Sequence, residues 1–194
     1  AGMPCNMYEL NKIKKKFNLK IIEDAAHASG SSYKNKRIGS HSDAVCFSFH
    51  PVKNLAMPSG GIIAINGKNT QKSKDILKSR RWAGISNRNG SKYNVTDIGW
   101  NYYMNEFSAA IGIEQLKKLE HSNSKRKHIA KRYSDELKII RKIPYTNDCS
   151  YHLFWIVVKN RDELMKKLLE NNIETGIHYL PIHKMEFYKS KIKL

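Results

Sequence analysis

Three residue types stand at telling places in this sequence. Asp24 closes the short apolar run Ile21-Ile22-Glu23-Asp24, Ser48 closes the run Ala44 to Phe49, and Lys53 follows five residues later in Ser48-Phe49-His50-Pro51-Val52-Lys53, ahead of Gly60-Gly61. Both runs read as buried strands, and in open α/β sheets ligands bind beyond the carboxyl ends of the strands. A lone Asp at such a point is commonly a turn cap, and a lone Lys in a lysine-rich chain is commonly a solvated side chain. Together, an acid, a hydroxyl and an amine at successive strand ends are the parts that a pyridoxal-phosphate (PLP) site needs. The amine forms a Schiff base with the cofactor aldehyde, and the carboxylate keeps the pyridine nitrogen protonated so that the ring accepts electrons. The hydroxyl and backbone N–H groups hold the phosphate.

The elements that would position these residues follow from periodicity. Met7, Leu10, Ile13 and Phe17 predict a helix behind Asn6 as N-cap. Leu19 to Glu23, Ala44 to Phe49 and Gly61 to Ile65 predict buried strands, and Ser32 to Gly39 a small hairpin. A helix is expected from about Thr70 to Trp82, then a polar loop from Gly84 to Asn94. Two helices follow, from Asn105 through Leu119 and from about Ser124 to Ile140. In the first, Phe107, Ala110, Ile111, Ile113, Leu116 and Leu119 form the apolar face. Tyr151 to Val158 reads as a strand, Arg161 to Glu170 as a helix and Thr175 to Tyr179 as an extended run. The strand–helix alternation predicts the α/β class, with a second, smaller unit beginning near residue 135.

Composition narrows the setting. Of 194 residues, 40% are hydrophobic and 10% aromatic, which suits a packed core and excludes a disordered tail. Apolar runs are strand-length, so no membrane span is expected. The chain does not begin with Met and reads as part of a longer protein. Its three cysteines, Cys5, Cys46 and Cys149, are odd in number and far apart. They predict neither a disulfide framework nor a zinc site, and a reducing, cytoplasmic setting is expected. Lys and Arg number 35 against 17 Asp and Glu, a formal charge of +18. The lysines are dispersed and no nucleic-acid-binding motif accompanies them, so solvated surface is the expectation and nucleic acid is not an expected partner.

The stretches IIEDAAHASGSSYKNKRIGSHSDAVCFSFHPVKN, PSGGIIAIN and DIGWNYYMNEFSAAIGIEQLKKLEHSNSKRKHIAKRY resemble the sugar aminotransferases of the DegT/DnrJ/EryC1/StrS family, as do SYHLFWIVV and GIHYLPIH more weakly. The resemblance implies the PLP-dependent aminotransferase fold type I, with residues 1–134 in the large, mostly parallel-sheet domain and 135–194 in the smaller C-terminal α+β domain. It also implies transfer of an amino group from an amino acid, L-glutamate by analogy, to a nucleotide-linked keto-deoxysugar. By the same resemblance Asp24 pairs with the pyridine nitrogen, His27 lies by the ring, and Ser48 contacts the phosphate. Lys53 is the Schiff-base residue and proton carrier. Asn101 matches an asparagine that reaches the partner subunit's cofactor, which implies a homodimer with shared sites. His178 and Tyr179 match a segment near the sugar. His178 and His183 lack a carboxylate or cysteine to complete a metal site, so no metal is expected.

Departures from the family pattern qualify these expectations. Tyr103 stands where many members carry Arg, and members are considerably longer than this chain, so the chain alone is expected to be poorly active. A PLP-dependent sugar dehydratase would carry His in place of Lys53. A non-catalytic PLP-binding regulator fused to a DNA-binding segment is the remaining alternative.

Overall fold

The computed structural model describes residues 1–68 and 70–191, grouped into two compact units, Ala1–Trp155 and Ile156–Leu194. The first unit opens with α1 (Met7–Phe17), whose N-terminus is closed by Asn6: its side chain accepts the Glu9 N–H at 3.3 Å. Asn18 ends the helix in the left-handed conformation.

The central sheet has three strands in the order β1 (Ile22–Asp24), β4 (Ala44–Ser48) and β5 (Gly61–Ile65). β1 and β4 run parallel, with Asp24 opposite Cys46, and the Ala25 N–H extends the ladder to the Cys46 carbonyl at 2.8 Å. β5 returns antiparallel, with Ser48 opposite Gly61. Parallel strands cannot be joined by a tight turn. Residues 25–43 make the crossover and carry the small hairpin β2 (Ser32–Tyr33) and β3 (Lys36–Arg37). Val45, fully buried, packs with Ala25, Ala28 and Ile38 beneath this crossover. Asp43 clamps its far end: its carboxylate accepts the Ile21 N–H at 2.9 Å and pairs with Lys14 at 2.7 Å. That backbone hydrogen bond, then Lys14, holds its pKa down at about 2.

After α2 (Thr70–Arg81) the chain forms an exposed two-stranded hairpin, β6 (Ile85–Asn89) and β7 (Lys92–Val95). The sequence predicts a loop there. The hairpin's alternation is confined to the four residues Lys92-Tyr93-Asn94-Val95, whose apolar side chains stay exposed, too short a run to mark a strand. α3 is one continuous helix, Glu106–Glu136, rather than the two expected. Its buried face is also different: Ser108, Gly112, Leu119, Asn123 and Ala130 are buried, whereas Phe107 is 85% exposed and Ile111, Ile113 and Leu116 are exposed too. β1 is likewise less buried than expected, with Ile22 72% exposed. Tyr151–Val158 forms no strand among the described residues. Extended backbone becomes a strand only where a ladder partner runs beside it.

In the second unit, α4 (Arg161–Glu170) forms as expected and carries Asp162 and Glu163 in its first turn, where the helix dipole favours anions. A single 3₁₀ turn (Ile182–Lys184) and α5 (Glu186–Lys189) follow. Thr175–Tyr179 forms no strand among the described residues. No helix among the described residues is long and apolar enough to cross a membrane.

The junction after α2 depends on close backbone approach. Gly84 has φ +73°, and a Cβ there would collide with the Asp97 carbonyl, while a Cβ on Gly99 would strike Gly84. Arg80 pairs with the Asp97 carboxylate at 2.6 Å across the same junction. Gly84→Ala is therefore expected to lower unfolding stability by about 2–3 kcal/mol, measured by urea denaturation.

Candidate active site

The parallel register of β1 and β4 brings Asp24 and Ser48 to one edge of the sheet, at the carboxyl ends of neighbouring strands. Asp24 is exposed. Its Oδ1 accepts the Ala26 N–H at 3.0 Å, the local contact of an acid that caps a turn. Ser48 Oγ accepts the His50 N–H at 3.3 Å.

Lys53 lies in the turn that leaves β4. The Lys53 N–H donates to the His50 carbonyl at 2.8 Å, the Phe49 N–H to the Gly60 carbonyl at 2.9 Å, and the Met57 N–H to the Phe49 carbonyl at 2.8 Å. Leu55 and Met57 are buried and pack with Leu119 of α3, Phe49 and Met104. Gly112 of α3 makes room for Met57, because a Cβ there would come within 2.7 Å of the Met57 sulfur. The lysine is thus half-buried on a turn pinned at both ends.

His27 sits in the crossover just after β1. Its ring meets that of His152, centroids 4.2 Å apart and tilted by 41°, and its carbonyl accepts the Ser150 hydroxyl at 3.1 Å. His152 Nδ1 lies 3.0 Å from Asn54 Oδ1. Asn54 Nδ2 reaches both Asn123 Oδ1 at 2.8 Å and the Ser150 carbonyl at 2.9 Å. Asn123 in turn donates to the Ser29 carbonyl at 3.0 Å. Burial pushes the His152 pKa down to about 4, aided by the nearby His27 and by the positive charges of Lys53 and Arg126. His27, Lys53 and His152 are therefore electrostatic neighbours.

Asn101 is not among these contacts. Asn101 forms a bridge with Trp82 and lines an open cleft of about 850 Å³ with Gly61, Arg81, Trp100 and Tyr103. Asp24, His27, Ser48 and Lys53 do not line that cleft. His178 and Tyr179 belong to the second unit. Both are exposed, with their rings edge to face at 4.9 Å.

Asn54, Asn123 and His152 were not marked as site residues by the sequence. One signal was present: Asn123 falls four residues after Leu119, on the helical face that is buried. A polar residue there needs hydrogen-bond partners inside the protein.

The three-stranded sheet with its parallel β1–β4 crossover is part of the PLP-dependent fold type I. The chain is a member of the DegT/DnrJ/EryC1/StrS aminotransferase family, whose family model matches residues 1–194. A Campylobacter jejuni relative, UDP-4-amino-4,6-dideoxy-N-acetyl-beta-L-altrosamine transaminase, is 34% identical over 97% of this chain and 52% of its own length. Helicobacter pylori PseC, an aminotransferase involved in the biosynthesis of pseudoaminic acid, matches with a TM-score of 0.84 at 26% identity, over 97% of this chain and 53% of its own. S. venezuelae DesV, solved in complex with a ketimine intermediate, matches with a TM-score of 0.84 at 30% identity, over 100% of this chain and 52% of its own. The chain therefore spans about half the length of these relatives.

The depressed pKa of His152 has a consequence for stability. An unfolded chain takes up a proton at His152 near pH 6.5, whereas the folded protein refuses it down to about pH 4. The contribution is complete above about pH 6.5 and is lost as pH falls through that window. Urea unfolding at pH 7 and pH 4.5 is expected to show a smaller acid-side loss in His152→Gln than in the parent. An equal loss in both would mean that the folded protein does not hold His152 neutral.

Proposed function

We propose that the protein to which this chain belongs is a PLP-dependent aminotransferase that moves an amino group from an amino acid of the L-glutamate class to a nucleotide-linked keto-deoxysugar, in amino-sugar biosynthesis for a surface polysaccharide or glycan. The observation that carries this reading is the shared edge: Asp24 and Ser48 end neighbouring parallel strands, and Lys53 occupies the pinned turn directly beyond. The naming of two relatives as amino-sugar aminotransferases supports the substrate class. Lys53, where a dehydratase would carry His, favours amino transfer.

The residues fit the cofactor chemically. Pyridoxal phosphate, when bound, supplies an electron-accepting ring that stabilises negative charge on the carbon bearing the transferred amine. In this reading the Lys53 amine holds the cofactor and, once released, moves the proton to and from the reacting carbon. The Asp24 carboxylate keeps a proton on the pyridine nitrogen, and the Ser48 hydroxyl donates to the phosphate. His27 borders the ring, held from behind by His152. His178 and Tyr179 are assigned to the sugar side.

Asn101 is assigned to the partner's cofactor phosphate. Its place in a cleft that Lys53 does not line supports action across a homodimer. In the longer protein we assign residues 1–134 to the large domain and 135–194 to the small one. Three free cysteines suit a cytoplasmic enzyme.

Two measurements on the full-length protein test the reading. Lys53→Ala is expected to abolish the visible absorbance of lysine-bound cofactor and to lower turnover by at least about 10³-fold. Normal turnover in that variant would remove Lys53 from its role. Mixing Lys53→Ala with Asn101→Ala subunits is expected to restore about a quarter of parental activity, because each hybrid dimer contains one intact site. No recovery on mixing would place Asn101 in its own subunit's site or outside catalysis.

A further inference from the structure

We propose that Asn54 and His152 are positioning residues: a one-way chain of hydrogen bonds through Asn123 and Asn54 fixes the turn that carries Lys53 and sets His152 as the Nδ1–H tautomer behind His27. The inference rests on the assignment of Lys53 and His27 to the cofactor site.

The direction of the chain is dictated by its two ends, which are backbone carbonyls and can only accept. Asn123 faces the Ser29 carbonyl at 3.0 Å, so its amide nitrogen must point there and its oxygen toward Asn54. Asn54 lies 2.8 Å from that oxygen and 2.9 Å from the Ser150 carbonyl, so it presents its nitrogen to both. Turning either amide over would set oxygen against oxygen. With both N–H groups of Asn54 committed, its oxygen is left to face His152 Nδ1 at 3.0 Å, and that contact is a hydrogen bond only if Nδ1 carries the proton.

The chain is directed, its Asn123, Ser29 and Ser150 end is buried, and Asn54 and His152 are half-buried. Asn123 is 2% exposed, Ser150 fully buried and Ser29 nearly so, so broken hydrogen bonds would not be replaced readily by water. Gly30, at φ +83°, leaves the space that Asn123 Nδ2 occupies, since a Cβ on Gly30 would collide with that atom. The neutral state of His152 agrees with its surroundings, because burial and the nearby cations Lys53 and Arg126 oppose a further positive charge.

Position gives the chain its consequence. Asn54 directly follows Lys53 and precedes the buried Leu55, so its three contacts set the backbone from which the lysine reaches. The ring of His152, aligned through Nδ1, supports one side of His27 at 4.2 Å. The side chains of Asn123, Asn54 and His152 thus tie the turn that bears the amine to the ring neighbour, as outer hydrogen-bond partners fix ligands at metal sites.

The test uses full-length protein in three measurements. Long-range ¹H–¹⁵N NMR of histidine-labelled apo protein is expected to show His152 protonated at Nδ1 and bare at Nε2 at neutral pH. The Nε2–H tautomer in the parent protein would overturn the proposal without any variant having to fold. In Asn54→Ala and the milder Asn54→Ser, the visible band of lysine-bound cofactor is expected to persist, with its titration shifted by about one pH unit and cofactor retention weakened about tenfold. An unchanged titration and affinity in both variants would also overturn it. Lys53→Ala separates the two readings: a visible band that survives there removes the assignment of Lys53, whereas a band lost there and unmoved in the Asn54 variants removes only the positioning role.

Discussion

The parallel pairing of Ile22–Asp24 with Ala44–Cys46 is the constraint on which the rest of this molecule depends. Two parallel strands end on the same side, so whatever residues close them are delivered to one edge regardless of the sequence between. Asp24 and Ser48 reach their common edge in this way. The pairing also imposes the crossover of residues 25–43, which cannot be short, and the crossover carries His27 and the Ser29 carbonyl to which Asn123 donates. One register thereby positions an acid, a hydroxyl and an imidazole. A slip of β4 by one residue would turn Val45 out of the core.

Lys53 is not held by that sheet directly, because its turn has left the ladder. It is held by two kinds of contact with α3. Leu55 and Met57 bury apolar surface against Leu119 and at Gly112, each worth about 1.5–3 kcal/mol of transfer free energy. Asn54, between them and the lysine, adds directed hydrogen bonds to Asn123 and Ser150. Apolar contacts fix depth but tolerate rotation, whereas a half-buried amide with every group paired tolerates little of either. A flexible four-carbon amine needs such a base, since precision at its tip begins with precision at its Cα.

Elements with a strong local pattern were legible in the sequence: α1 behind Asn6, the hairpin of residues 32–39, β4, β5, α2 and α4 all form where periodicity and capping place them. The failures have particular causes. Ser122-Asn123-Ser124 reads as a break between helices, because such side chains compete with the helical backbone; in the fold Asn123 turns inward to the Asn54 amide and α3 continues. The hairpin β6–β7 has little alternation, although Asn89-Gly90 at its tip is a turn signal. The chemistry was legible as residue types at strand ends. Asn54 and His152 were not, because they matter through partners 69 and 98 residues away in sequence.

Charge separates the two residues at the centre of the reading from their background. With 35 basic and 17 acidic side chains, many carboxylates here are matched by a nearby cation, as at Asp43, Asp97, Glu120 and Asp135. Asp24 differs: among the described residues no lysine or arginine lies within ion-pair distance of it, and its Oδ1 accepts the Ala26 N–H at 3.0 Å. Lys53 likewise has no carboxylate partner among the described residues. An acid and an amine near one sheet edge could have neutralised each other, and the fold keeps them in separate hands, the acid on β1 and the amine on a turn tied to α3.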